Sequence, residues 1–252
     1  MNKAITKHTL SIKSNKSVEP ATKGIPQGLS FSNVLSSIYF QKFDKKYSQN
    51  SNISYHRFVD DILILCNSTD IESIKKSIIK DIKKLKLTVH DFKENSSKST
   101  IGLIEKDIFE YLGYKFNNKN ISIRDSSVDK LRDTIINTFR ESKNEKELYR
   151  KLNLKITGCL YDDKRYGWLS FFSLSNDITL LYSLDSFIEK CFKRFHIIFD
   201  DIKIKKFSKS FYAWKNIEST SYIPKYNSLK NEPVDIWVLK EIQKNEEEIE
   251  FY

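Results

Sequence analysis

The strongest constraint on this chain is a pair of neighbouring acids, Asp60 and Asp61, set between Tyr55-His56-Arg57-Phe58-Val59 and Ile62-Leu63-Ile64-Leu65. The segment reads as a strand at about 54–59, a tight turn and a second strand at about 62–66, with both carboxylates presented at the bend. Crowding two like charges beside hydrophobic strands is unfavourable unless a cation joins them. A hard, oxygen-seeking ion such as Mg2+ is the natural neutraliser. Aspartate is also a common turn residue that bonds backbone amides, so the pair alone admits both a metal site and an ordinary turn.

A second motif lies upstream. Gly24-Ile25-Pro26-Gln27-Gly28 precedes an amphipathic stretch that opens with Ser30, Ser32 and Asn33. The glycines admit backbone conformations closed to other residues and let another molecule approach closely, while Pro26 stiffens the loop between them. The formal charge of +10 suits a polyanionic partner, since phosphate contacts release counterions. A lysine-rich solvated surface gives the same balance, so the motifs must decide. Cys66, Cys159 and Cys191 are odd in number and widely spaced, as free thiols in a reducing compartment are. No apolar run approaches the ~18 residues of a membrane span and no secretory core is seen, so a cytoplasmic protein without membrane contact is expected.

The two motifs, in this order, resemble motifs B and C of the reverse transcriptases: Gly24 to Gly28 with Ser32, then Phe58-Val59-Asp60-Asp61. Leu87-Thr88-Val89-His90-Asp91-Phe92-Lys93 resembles motif D, with His90 in place of the usual asparagine, and Phe109-Glu110-Tyr111-Leu112-Gly113-Tyr114 resembles the motif E primer grip. The details are similar to the bacterial branch, which includes retron-like, group II intron-like and phage-defence enzymes. The resemblance implies Asp60 as a shared ligand of two catalytic Mg2+ ions (Mn2+ as a substitute) and Asp61 as a looser ligand. It implies Gly24, Ile25, Pro26, Gln27 and Gly28 as the lining for template base and incoming nucleotide. Lys93 would stand near the leaving pyrophosphate, and Leu112, Gly113 and Tyr114 would set the primer 3′ end. For Lys93 a plain surface lysine is the competing reading, and for Asp61 a turn aspartate. Arg57 is read either as a phosphate contact or as an ordinary charge at a strand edge.

One departure matters. Motif A precedes motif B in that family and supplies another metal-binding aspartate, yet the sole acid before Gly24 is Glu19. The expectation is therefore a C-terminal palm and thumb part, with an upstream half or a second subunit supplying motif A. The implied partners are an RNA template, a DNA or RNA primer and dNTP. A non-catalytic nucleic-acid-binding subunit or scaffold is the alternative.

The fold class expected is α+β: a partial palm of antiparallel sheet with packed helices, then a mostly helical thumb. Residues 1–22 read as an irregular lead-in, 23–125 as the palm part and 126–252 as thumb and tail. A helix over about 30–47 would bury Phe31, Val34, Leu35, Ile38 and Tyr39, capped by Ser30 or Ser32. Thr69 and Glu72 suggest a capping box for a helix to about Leu85, with Ile71, Ile74, Ile78, Ile82 and Leu85 inward. A strand near 86–90 follows, then a hairpin of strands at about 109–116 and 121–124 around Asn117-Asn118-Lys119-Asn120. Val128, Leu131, Ile135 and Phe139 make one helical stripe; Leu181, Leu184, Phe187, Ile188, Cys191, Phe192 and Phe195 make another. The aromatics Tyr161, Tyr166, Trp168, Phe171 and Phe172 read mainly as core, with base stacking as the other reading. Lys203 to Lys215 mixes basic and aromatic groups, as a solvated helix or a nucleic-acid contact would, and Glu246, Glu247, Glu248 and Glu250 should avoid nucleic acid.

Overall fold

Alternation along Ile53–Phe58 (β1) turns Ile53, Tyr55 and Arg57 toward one face, and the chain reverses at Val59-Asp60 into Asp61–Cys66 (β2). The computed structural model describes residues 24–25, 31–90, 92, 99–161, 164–215 and 222–225. The lead-in over 1–22 and the acidic tail lie outside them. The chain divides into two compact units, Met1–Ile101 and Gly102–Tyr252. The class is α+β: the described residues form seven α-helices and three small antiparallel sheets.

In the first unit, helix α1 (Ser32–Ser48) packs on the β1–β2 hairpin and helix α2 (Ile71–Lys84) follows it. Its core is Phe40, Phe43, Tyr47 and Ile82, with Ile53, Tyr55, Ile62, Ile78 and Leu85 packed around them. The expected inward face of α1 is corrected here. Val34, Ile38 and Tyr39 are 52%, 63% and 48% exposed, while Ser36, Phe40, Phe43 and Tyr47 are buried. The larger aromatic stripe at 40, 43 and 47 removes more apolar area from water and sets the helix's rotation. Phe43 lies 4.5 Å from Tyr47 between ring centres, and Tyr47 lies 5.9 Å from Tyr55.

Neither expected N-cap forms among the described residues. Phe31 stands at the N-cap of α1 without a side-chain bond, and Ser30 is outside them. Asp70 rather than Thr69 stands at the N-cap of α2, after a short 3-10 turn over Ser68–Asp70, and no capping box closes. The strand expected near 86–90 is irregular backbone. Lys86 takes φ 56°, its N–H donates to the Lys83 carbonyl and that of Leu87 donates to Ile82, which closes a Schellman cap on α2.

The second unit opens on a meander: β3 (Phe109–Tyr111), β4 (Tyr114–Asn117) and β5 (Asn120–Ile123). The single strand expected over 109–116 is broken at Leu112-Gly113, where φ is 50° and 82°, both positive as a tight type I′ turn requires. At the second turn Asn118 takes φ 52°. Tyr114 and Ile123 enter the main core with helices α3 (Asp125–Glu141), α4 (Glu145–Thr157), α5 (Trp168–Phe171), α6 (Ile178–Arg194) and α7 (Phe207–Lys215). Val128, Leu131, Ile135 and Phe139 are all buried, as are Leu181, Leu184, Ile188, Cys191 and Phe192. The basic and aromatic stretch ending at Lys215 is also core, since Phe207, Phe211 and Trp214 are buried. Among the described residues, side-chain caps fix three helix starts, that of α6 by Asp177, which accepts from the Leu180 amide. Asn144 accepts from the Glu147 amide, and Asp185 of α6 accepts from the Phe207 and Ser208 amides at the start of α7.

Between α4 and α5, strands β6 (Cys159–Tyr161) and β7 (Lys164–Tyr166) form a short ladder. Gly158 enters it at φ 64°, so close to the neighbouring strand that a Cβ there would lie 2.0 Å from the Tyr166 carbonyl oxygen. Only glycine fits. None of the three cysteines is in a disulfide, and burial pushes the thiols of Cys66 and Cys191 up. No helix among the described residues is long and apolar enough to cross a membrane.

Candidate active site

The bend between β1 and β2 is as tight as a hairpin permits: Phe58 pairs with Asp61, leaving Val59 and Asp60 as its two central residues. Val59 takes φ 55°, a left-handed conformation that a β-branched side chain adopts at a cost of about 1–2 kcal/mol. Glycine is the usual occupant of such a position. Strain of this kind persists where the surroundings over-determine the backbone.

Those surroundings are on α1. Arg57, at an inward position of β1, donates from Nε to Asp44 Oδ1 at 2.8 Å and from Nη2 to Asp44 Oδ2 at 2.5 Å. Its third donor, Nη1, reaches the Val59 carbonyl at 2.7 Å. The guanidinium lies 4.7 Å from the centre of the Phe40 ring, and its side chain is only 8% exposed. The Tyr55 hydroxyl donates to Asp44 Oδ1 at 2.6 Å, and buried Ser36 makes a longer 3.4 Å contact to the Val59 carbonyl. Burial alone would raise the Asp44 carboxyl, but the hydrogen bonds from Arg57 and Tyr55 outweigh it and hold it below the usual carboxylate range. Burial first, and Asp44 second, push the Tyr55 phenol well up. Arg57 is thus committed to protein partners, and the phosphate-contact reading of it is set aside.

Asp60 and Asp61 contrast with this. Both are exposed, and neither side chain makes a hydrogen bond or ion pair among the described residues. The turn-aspartate alternative, with carboxylates bonded to backbone amides, is not what they do. Two unpaired, adjacent oxygen donors on a fixed bend fit Mg2+, which is commonly held by one or two carboxylates together with waters and substrate phosphates. Among the described residues no cluster of three or more His, Cys, Asp or Glu side chains could hold a metal, so the pair is the whole local donor set.

The other expected site residues fall into three groups. Gly24 (φ 95°) and Ile25 are exposed, while Pro26, Gln27 and Gly28 lie outside the described residues. Lys93 lies outside them too. Leu112, Gly113 and Tyr114 form the β3–β4 turn of the second unit, and it is firmly seated. The Tyr114 hydroxyl donates to the Phe171 carbonyl at 2.9 Å, and a Cβ on Gly113 would stand 3.3 Å from the Phe172 ring. Ser175 and Asn176 bond the β5 backbone at Ile121, so the loop after α5 is fastened to the meander.

Ser36 and Asp44 carry no mark in the sequence, nor does the left-handed backbone of Val59. One signal was there. Alternation places Arg57 on the same side of β1 as Ile53 and Tyr55, and a charged residue on a core-facing parity needs a buried partner.

The α+β frame thus presents paired carboxylates, unpartnered among the described residues, on a strained bend. The family model that describes reverse transcriptase (RNA-dependent DNA polymerase) matches residues 1–116. Over those residues the chain is similar to the reverse transcriptases, in which template and primer nucleic acids are the partners and Mg2+ the usual metal. No curated protein matches the chain.

Proposed function

We propose that this chain is the palm and thumb part of an RNA-directed DNA polymerase of the bacterial, retron-like or phage-defence type, working in the cytoplasm. In the reaction, the primer 3′ hydroxyl oxygen attacks the α-phosphorus of a dNTP. The new P–O bond forms as the bond to pyrophosphate breaks, and the hydroxyl proton passes to solvent. Asp60 and Asp61 would hold Mg2+, which would supply charge neutralisation for the attacking and leaving oxygens. The chain's own part is positional. The bend presents Asp60 and Asp61 toward the phosphates, and the Gly24 to Gly28 loop lines the nucleotide and template base. The Leu112 to Tyr114 turn steadies the primer end, and Lys93 is assigned to the pyrophosphate. Base choice rests on template pairing. A further carboxylate is assigned to a segment or subunit outside the described residues.

The observation that carries this reading is the pair of unpaired acids on the pinned bend, within a region that matches the reverse transcriptase family. Mn2+ titration followed by paramagnetic broadening of backbone amides tests it. Broadening should centre on residues 58–62 and vanish in Asp60→Asn. Primer extension on an RNA template, assayed with the complementing palm segment added, should be lost in the same variant.

A second reading is a non-catalytic nucleic-acid-binding subunit, and the absence, among the described residues, of a third acid grouped with the pair to hold a metal favours it. It predicts that Asp60→Asn leaves duplex affinity unchanged or raises it, with no Mn2+ effect at the bend.

A further inference from the structure

We propose that Asp44 and Arg57 form a positioning device that aims the two bend carboxylates, acting through the Val59 carbonyl; this rests on the metal reading of Asp60 and Asp61 given above. Arg57 divides its donors. Two go to Asp44 on helix α1, at 2.8 and 2.5 Å, and one goes to the Val59 carbonyl at 2.7 Å. That carbonyl belongs to the peptide plane joining Val59 to Asp60. Holding its oxygen fixes the plane's rotation, and with it the direction in which the Asp60 Cα–Cβ bond leaves the backbone. Asp61 follows directly and is tied to Phe58 through the ladder.

The plane needs holding because φ 55° at Val59 is not where a valine rests. Without the fork, the bend would relax toward a commoner turn and carry both carboxylates with it. Only arginine offers the needed geometry. A planar guanidinium serves a carboxylate with two parallel bonds and still has an N–H to spare, whereas a lysine ammonium is a single point donor. Phe40 beneath the guanidinium and Tyr55 on the same Asp44 oxygen keep the fork from rotating. Ser36 makes the second, weaker hold on the same carbonyl.

Charge and position make opposite forecasts here, which gives a clean experiment. Arg57 is a cation one hairpin position from two acids. Removing it by Arg57→Gln should, on charge alone, tighten binding of a divalent cation. If the fork positions the acids, the same change weakens it. The full chain is titrated with Mn2+ alone, followed by paramagnetic broadening, and amide hydrogen exchange at Val59, Asp60 and Asp61 is measured alongside. We expect Mn2+ to bind at least about fivefold more weakly to Arg57→Gln and to Arg57→Lys. Exchange at the three bend amides should quicken, while the α1 amides stay protected. Ser36→Ala, which changes no charge and keeps the fork, should give a smaller loss in the same direction and serves if the Arg57 variants do not fold. Equal or tighter Mn2+ binding by the folded Arg57 variants, or unchanged bend exchange, overturns the proposal. Failure of the unaltered chain to bind Mn2+ at the bend overturns the metal reading instead, and the fork is then judged on bend exchange alone.

Discussion

At the scale of single residues, the bend shows how function is written in local disagreement with propensity. Valine is a strand former with poor tolerance for a left-handed backbone, yet Val59 holds φ 55° between two strands. Replacing it by glycine removes that strain, worth about 1–2 kcal/mol, and loses a half-buried side chain together with some chain entropy. The two effects nearly cancel. Val59→Gly should therefore leave the hairpin's stability within about 1 kcal/mol of the original, read from hydrogen exchange of the β1 and β2 amides. A loss above about 2 kcal/mol would show that the conformation carries no strain.

Residue identity also explains what could be read in advance. The acids, their bend and the short strands around them follow from a period-2 pattern broken by two aspartates, a wholly local signal. The partners of Arg57 do not. Asp44 lies thirteen residues before it, on a helix whose rotation was settled by Phe40, Phe43 and Tyr47 rather than by the nearer-looking stripe of Val34, Ile38 and Tyr39.

At the scale of elements, the seam between α1 and α2 is electrostatic as much as apolar. Asp81 accepts from Lys46, from Lys84 at 2.8 Å and from the Tyr47 hydroxyl at 3.1 Å. The hydrogen bond from Lys46, then that from Lys84, hold its carboxyl well below the usual carboxylate range. A depressed folded-state value stabilises the fold above the unfolded-state value, and that stability is lost as acid protonates the group. The first unit should thus weaken as pH falls from about 5 toward 2, and Asp81→Asn should flatten that dependence while lowering stability at neutral pH, measured by urea unfolding across the range. In the second unit the Gly158 approach sets a steric limit. A methyl group 2.0 Å from the Tyr166 oxygen cannot be accommodated without parting β6 from β7. Gly158→Ala should destabilise the second unit by about 3 kcal/mol or more, seen as a lowered thermal midpoint. Long helical stripes such as Val128 to Phe139 were legible because one face repeats over about three turns. The Leu112-Gly113 break and the cap at Lys86 were not, since each is decided by one residue taking a positive φ.

For the whole molecule, charge and core size matter most. On the proposed function, the net charge of +10 makes phosphate neutralisation the main drive for binding a primer–template duplex. Affinity should fall about tenfold for every two phosphates engaged when salt rises from 50 to 200 mM, measured by fluorescence anisotropy of a labelled duplex. The units also differ in what they bury. The first relies on Phe40, Phe43, Tyr47 and Ile82, whereas the second gathers residues from the meander and all five of its helices. The slowest-exchanging amides should therefore lie in α3, α4 and α6.

The second unit also holds Trp168 and Trp214, and the remaining indole, Trp237, comes later still in the sequence. Emission from Trp168 and Trp214 consequently reports on the second unit. An ion arriving at the acids can leave that light unchanged, and a melting curve recorded from it describes the unit that does not carry them.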